Sequence, residues 1–413
     1  MLGVIADDFT GASDIASFLV ENGLSAVQMN GVPSKPLAES VDAVVISLKS
    51  RSNPVDEAIA QSLSALDWLQ QNGATQFYFK YCSTFDSTAQ GNIGPVTDAL
   101  LAQLGADFTV ITPALPVNGR TIFNGYLFVG DVLLNESGMR NHPITPMKDA
   151  SLIRLMDAQA QGKTGLVAYA DVIQGPIRVK ERFAQLKEQG YRYAVVDAVD
   201  NSQLAVLAEA VSELKLVTGG SGLGAYMAAR LSGGKTGSNA FVPTKGKTVV
   251  LSGSCSVMTN KQVQTYQTQA PSCFLEVEEA LNNPNYAQQL AQWVLENSQQ
   301  ALAPMVYATV LPEKLQEIQR QFGGDNASHA IEQVFAQLAV KLKAAGFTNF
   351  ITAGGETSSI VVQQLGFSGF HIGKQIAPGV PWLKAVEEPI YLALKSGNFG
   401  KEDFFSFAQQ MMM

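Results

Sequence analysis

Two adjacent carboxylates, Asp7 and Asp8, follow directly on the apolar run Leu2, Val4 and Ile5. A Thr10-Gly11-Ala12 turn then leads into helical spacing at Ile15, Ala16, Phe18 and Leu19. This is the pattern of a buried strand, a polar turn and a helix start. In an open α/β sheet small molecules bind beyond the carboxyl ends of the strands, so both acids belong at that rim. Side by side they repel each other and lose solvation, which a cation, a hydroxyl or a basic side chain would offset. The plainer alternative leaves Asp7 in solvent and has Asp8 or Thr10 cap the helix.

Residues 80–92 read Lys-Tyr-Cys-Ser-Thr-Phe-Asp-Ser-Thr-Ala-Gln-Gly-Asn and begin where the apolar strand 77–79 ends. Lys80, Ser83, Thr84 and Asp86 form a dense polar patch suited to gripping a polyhydroxylated anion. The strand at 44–46 leads to Lys49, Ser50, Arg51 and Ser52. A guanidinium holds a carboxylate through two parallel hydrogen bonds, which makes Arg51 the first choice for a substrate carboxylate. Asn118, Gly119, Arg120 and Thr121, and also His142 beside Pro143, offer a second cation. For His142 alone an ordinary structural role is favoured.

The second half carries three small-residue clusters, each following or ending a strand: Ser252-Gly253-Ser254-Cys255-Ser256, Ala353-Gly354-Gly355-Glu356-Thr357-Ser358-Ser359 and Ser396-Gly397-Asn398-Phe399-Gly400. Glycines at such turns let backbone amides approach a phosphate, and a helix starting at the second cluster aims its positive end there. Two standard fingerprints fail. Gly234-Lys235-Thr236 resembles the end of a P-loop, but Ala229 stands where its first glycine is required and no strand precedes it. Gly220-Ser221-Gly222-Leu223-Gly224-Ala225 loosely fits a dinucleotide turn, yet no Asp or Glu occurs between Glu213 and Glu276 to hold a ribose. A bend closing the first domain is the better account of it.

The elements that must position these residues alternate. Strands are expected at 2–5, 43–46, 77–79, 108–111, 165–169 and 193–196. An amphipathic helix is expected at 54–71, capped by Asn53 with Pro54 at its first position. After a Gly/Ser/Thr/Asn-rich stretch the rhythm restarts with strands at 248–251, 349–352 and 391–394 and helices within 286–298 and 328–345. This alternation predicts an α/β fold of two domains with mainly parallel sheets and a cleft between them. The domains are 1–231 and 245–413, joined by a linker at 232–244. Residues 118–146 break the rhythm and read as a flap or hairpin over the site. The terminal Met411 to Met413 reads as frayed.

At 413 residues the chain exceeds one ordinary core. A hydrophobic fraction of 46% and only 15% charged residues describe a well-buried soluble protein. A formal net charge of −8 argues against nucleic acid or an anionic membrane as partner. Three cysteines fit neither a disulfide framework nor a paired metal spacing. With no basic leader and no span-length apolar run, a cytoplasmic protein is expected. Its partners are small molecules, with self-association into a homo-oligomer left open.

Taken in order, Ala6-Asp7-Asp8-Phe9-Thr10-Gly11-Ala12, Arg51-Ser52, Lys80 with Ser83-Thr84, Gly91-Asn92-Ile93-Gly94, Pro113 with Gly119-Arg120, Ser252-Gly253-Ser254 and Gly354-Gly355-Glu356-Thr357 span almost the whole chain. In these motifs the sequence resembles the four-carbon acid sugar kinases, and among them the 3-oxo-tetronate kinases. The resemblance implies a sugar-acid-binding first domain and a nucleotide-binding second domain. It implies ATP as cofactor, bound by Ser252 and Ser254, by Gly354, Gly355, Glu356 and Thr357, and by Gly397, with Mg²⁺ bridging the phosphates. Substrate contacts are implied at Asp8, Arg51, Lys80, Ser83, Thr84 and Asp86. Asp8 is the candidate for orienting or deprotonating the 4-hydroxyl, with Asp86 in reserve. Threonate or erythronate kinases are the alternatives within the class. A nicotinamide-dependent dehydrogenase built on residues 220–225 and a non-catalytic sugar-acid sensor stand outside it.

Overall fold

Runs of apolar residues unbroken by alternation mark strands covered on both faces, and in the computed structural model they form parallel sheets. The structure describes residues 1–413 other than 38–39, 143–144 and 236–239. The chain divides into two compact units, Met1–Asn239 and Ala240–Met413. Part of the expected linker, residues 236–239, lies outside the described residues, as does Pro143.

In the first unit the strands are β1 (Leu2–Ala6), β2 (Ala26–Asn30), β3 (Ala43–Ser47), β4 (Gln76–Lys80), β5 (Thr109–Thr112), β6 (Arg120–Phe123), β7 (Tyr126–Val129), β8 (Val132–Leu133), β9 (Lys163–Val167), β10 (Tyr191–Val196) and β11 (Leu216–Gly219). The parallel sheet runs β2-β3-β1-β4-β11-β5-β10-β9. One helical layer contains Val55–Gln71 packed on Ile93–Gln103; another contains Phe9–Glu21, Ser221–Leu231, Asn201–Ala210 and Pro176–Glu188 in succession. Because β1 lies between β3 and β4, with Ala6 opposite both Ser47 and Lys80, three of the suspected strand ends are adjacent.

Two expectations are corrected here. The helix over Val55–Gln71 starts from Pro54 as N-cap with no side-chain bond. Asn53 does not cap it; its carbonyl instead receives the Asn92 amide at 2.9 Å. The stretch 220–225 is not a bend but the entry to the first unit's last helix. It joins the central strand β11 to the helix Ser221–Leu231, and a Cβ at Gly220 or Gly222 would lie 2.7 or 2.4 Å from the carbonyl oxygens of Pro113 and Ala114. These glycines therefore serve close helix–sheet packing. The irregular stretch after residue 118 does form a hairpin, within the antiparallel sheet β6-β7-β8.

The hairpin β6–β7 is pinned at its turn. Asp197, fully buried, accepts the amides of Asn124 (2.7 Å), Gly125 (2.9 Å) and Tyr169 (2.9 Å). Asn124 takes the left-handed conformation, φ 49°, which asparagine tolerates. Ile122 bridges Ala198 and Tyr126 bridges Ser151.

In the second unit β12 (Lys247–Ser252), β13 (Ser272–Phe274), β14 (Met305–Tyr307), β15 (Phe347–Ala353), β16 (Gly369–Ala377), β17 (Val380–Ala385) and β18 (Tyr391–Lys395) run β13-β14-β12-β15-β18-β17-β16. All pairs are parallel except β18–β17 and β17–β16. The C-terminus is not frayed: Met412 is buried in a core cluster with Trp382 and Phe404, and Met413 exchanges backbone hydrogen bonds with Pro243 and Lys245. Among the described residues no helix is long and apolar enough to cross a membrane.

Candidate active site

On the first unit the paired acids are compensated by Arg51. Its Nε and Nη2 donate to the two Asp7 oxygens at 2.9 and 2.8 Å, and Nη2 also donates to Asp8 at 2.7 Å. Asp8 at the same time caps the helix Phe9–Glu21, accepting the Gly11 amide at 3.0 Å and the Thr10 hydroxyl at 2.8 Å. Both readings of Asp8, helix cap and charge-paired rim acid, thus hold together. Burial works against its charge, but Arg51, Lys80, the Thr10 hydroxyl and the Gly11 amide outweigh it and hold the carboxyl below the usual carboxylate range. The Asp8 side chain stays 25% exposed, against 6% for Asp7, so Asp8 is the one open to a ligand.

Lys80 ends β4 on the other side of β1 and is itself buried. Its ammonium donates to the Tyr81 carbonyl at 3.0 Å and lies 3.5 Å from Asp14. Asp14 in turn receives the Ser221 hydroxyl at 2.5 Å, while its Oδ1 has no hydrogen-bond partner among the described residues. Sequence reasoning missed Asp14 and Ser221; an acid one turn into a helix carries no signal of its partner 207 positions away.

The loop after β4 is held by a strained residue. Phe85 has φ 49° and is fully buried with its ring 5.5 Å edge-on to Tyr81, so packing fixes a conformation that a bulky side chain rarely adopts. Ser83 is half-buried and Thr84 buried. The Asp86 amide donates to the Cys82 sulfur at 3.2 Å. Burial, then Asp86, push the Cys82 thiol up to about 12, which leaves it protonated and unsuited to act as a nucleophile. A small cavity beneath is lined by Asp7, Ser50, Arg51, Asp86, Ser87 and Asn92. Two of its lining atoms, Ser50 Oγ and Asp86 Oδ1, have no hydrogen-bond partner among the described residues.

Of the two further cations, only Arg120 is placed with this group. It opens β6, where burial works against its charge and the nearby Asp86 carboxylate favours it. Its Nη1 donates to the Asn118 carbonyl, but its buried Nε has no partner among the described residues. His142 is engaged in its own turn, where Nδ1 meets the amide and hydroxyl of Thr145 at 3.1 and 3.0 Å.

On the second unit the three small-residue clusters converge at the carboxyl ends of β12, β15 and β18. A Cβ on Gly253 would lie 2.2 Å from the Thr357 hydroxyl, and one on Gly397 within 3.2 Å of both Ser254 and Ser256. Gly354 has φ 123° and could not accept a side chain without strain. The helix Gly355–Leu365 begins there with no side-chain cap, so its first amides are free to meet an anion. Glu356 is exposed at its start. Ser252 is fully buried and shares a 2.7 Å hydrogen bond with Thr309, beneath the loop that Ser254 opens. Lys395 at the end of β18 was not anticipated, because a lysine closing an apolar run reads as a solvated end.

Comparison with known proteins agrees with this division. Residues 2–227 match the family model of a sugar-binding N-terminal domain, and residues 249–405 that of a nucleotide-binding C-terminal domain. A 3-oxo-tetronate kinase of Actinobacillus succinogenes is 80% identical over 413 residues, covering all of both chains. Another from Escherichia coli is 54% identical, covering 91% of this chain and 98% of that one. A Haemophilus influenzae crystal structure (78% identity, TM-score 0.83) covers all of both chains. One from Salmonella typhimurium (54% identity, TM-score 0.93) covers 100% of this chain and 99% of that one. The chain is a kinase and belongs to the 3-oxo-tetronate kinase branch of the four-carbon acid sugar kinase family.

Proposed function

We propose that the protein transfers the terminal phosphate of ATP to the 4-hydroxyl of 3-oxo-tetronate, giving 3-oxo-tetronate 4-phosphate. The observation that carries this reading is the charged, partly open Asp8 carboxylate fixed by Arg51 within the region matched by the sugar-binding model. Residues 1–231 hold the acid, 245–413 the nucleotide, and 232–244 connect them. Three free cysteines suit a reducing cytoplasm.

Phosphoryl transfer is catalysed mostly by positioning and charge neutralisation. Asp8 accepts the hydrogen bond of the 4-hydroxyl and orients its oxygen toward the phosphorus. Ser83, Thr84 and Asp86 bind the remaining oxygens, and Lys80 with Arg51 supplies positive charge behind them. Arg51 has only Nη1 left to offer a substrate, 4.0 Å from Asp86. The substrate carboxylate is therefore assigned chiefly to Arg120, whose Nε is still unpartnered. On the second unit Ser252 supports the turn whose Ser254, with Gly354, Gly355, Thr357 and Gly397, cradles the phosphates.

Among the described residues no group of three or more His, Cys, Asp or Glu is placed to hold a metal ion. The exposed Glu356, in the first turn of the helix Gly355–Leu365, is the carboxylate that would hold a Mg²⁺ brought in with the nucleotide. When bound, the ion neutralises phosphate charge.

The deciding experiment is ATP turnover against 3-oxo-tetronate, threonate and erythronate, each in both hands. Turnover on the 3-oxo acids is expected. Turnover only on threonate or erythronate would keep the mechanism and move the substrate, and ATP binding without turnover on any acid would favour a sensor. Arg120→Met is expected to raise KM for the acid about 10- to 100-fold, the loss of one charge-assisted hydrogen-bonded contact, with KM for ATP unchanged. A KM for the acid within about threefold of wild type would remove Arg120 from that role.

A further inference from the structure

We propose that Lys395 is the buried counter-charge of the bound nucleotide's phosphates, a positioning residue that ties the three phosphate loops together and holds a positive charge beneath them. The inference rests on the nucleotide reading of the second unit and deepens it.

Lys395 is fully buried. Its ammonium donates to the Gly397 carbonyl at 2.6 Å, the Thr259 hydroxyl at 2.9 Å and the Ser396 carbonyl at 3.1 Å, which occupies all three of its protons. Thr259 donates to the Gly397 carbonyl at 2.8 Å and lies 3.0 Å from the Ser256 hydroxyl. The Lys395 carbonyl accepts the Gly354 amide at 2.8 Å. One residue is thus bonded directly to two of the loops and, through Thr259, to the third. A neutral side chain with the same reach could tie loops as well, so the charge itself needs an explanation.

Among the described residues Lys395 forms no salt bridge. The ionisable side chains on the elements around it are Lys261 and Glu402, which pair with each other at 3.5 Å, together with Cys255, Tyr266, Glu356, Lys384, Tyr391, Lys401 and Asp403. None of these acts on it; burial alone lowers its pKa, to about 7. A buried ammonium without a counter-ion is costly, and an incoming polyphosphate supplies one. Nucleotide binding should then draw a proton onto Lys395 wherever the empty site leaves it partly neutral.

The test is calorimetric titration of the full-length protein with ADP and with adenosine at pH 8, in buffers of different ionisation enthalpy. Wild type should take up a proton on binding ADP and none on binding adenosine. Lys395→Met should weaken ADP by about tenfold or more, leave adenosine within about twofold, and abolish the proton uptake. Equal weakening of both ligands, or no proton uptake by the wild type, would reduce Lys395 to a structural tie and overturn the proposal. The wild-type measurement decides the matter even if the variant does not fold. Failure of the wild type to bind ADP at all would instead overturn the nucleotide reading on which the proposal stands.

Discussion

Asp8→Asn is expected to lower kcat by about 10²- to 10⁴-fold, the range for loss of a positioned proton acceptor. Asparagine still accepts the Gly11 amide and caps the helix, so the backbone around position 8 is preserved. What disappears is the negative charge facing the acceptor hydroxyl. Because Arg51 and Lys80 hold that carboxyl below its usual range, Asp8 is a weak base. It serves by orienting the hydroxyl and taking its proton late, which suffices for a loose phosphoryl-transfer transition state. In the wild type, therefore, the acid limb of kcat/KM that belongs to Asp8 should fall below about pH 4. Steady-state kinetics with Kd for ADP as control is the measurement. Activity within about threefold of wild type would end the assignment; if Asp86→Asn is the damaging change instead, the role passes to Asp86.

The second large effect is on stability. Arg51→Met should cost about 3–5 kcal/mol, because it leaves two adjacent carboxylates without their shared cation. The sign of its pH dependence follows from Asp8. A carboxyl whose folded pKa lies below its unfolded value contributes stability that is complete above the unfolded pKa, about 4, and is lost as pH falls through the folded value. The deficit of Arg51→Met should thus be full at neutral pH and shrink in acid. Urea unfolding at pH 7 and about pH 3 measures this, and a deficit under about 1 kcal/mol at pH 7 would show the pair to be no better than a surface ion pair.

Lys395 gives a smaller effect of opposite sense. Its folded pKa lies below that of an unfolded lysine, so the folded ligand-free protein binds fewer protons and gains stability as pH rises from 7. Between pH 7 and 8.5 that gain is on the order of 1–2 kcal/mol relative to Lys395→Met. A flat difference over this window would mean that the lysine stays charged without a ligand.

How much of this was legible in the sequence depended on range. The strand, acid pair and helix start at residues 2–14 were readable because a buried strand and a capping turn are local patterns. So were the three glycine clusters of the second unit. That Arg51 would be taken up by Asp7 and Asp8 was not readable, since it depends on β3 lying next to β1, and sheet order is not written in any one strand. The antiparallel pair β16–β17 and the three-residue strands β13 and β14 were missed for the same reason: their pairing partners, more than their own residues, define them. Met411 to Met413 looked like a loose tail because three unbranched side chains carry no periodicity. Only the core around Trp382 shows what Met412 fills.

A hairpin usually moves most at its tip. In β6–β7 the tip is fixed, because Asp197 takes the Asn124 and Gly125 amides and the Leu152 amide bonds the Gly125 carbonyl. The Asn124 and Gly125 amides should therefore exchange with solvent deuterium as slowly as those of the central strands, although Asn124 is exposed. The opposite end, where Gly119 and Gly130 both take left-handed backbone conformations, is tied as well: Arg120 exchanges two backbone hydrogen bonds with the buried Leu115, at 2.9 and 3.1 Å. The cation assigned to the substrate carboxylate thus sits on a hairpin clamped at both ends, and Asp197→Ala, by releasing one clamp, should blunt recognition of the acid without removing any group that touches it.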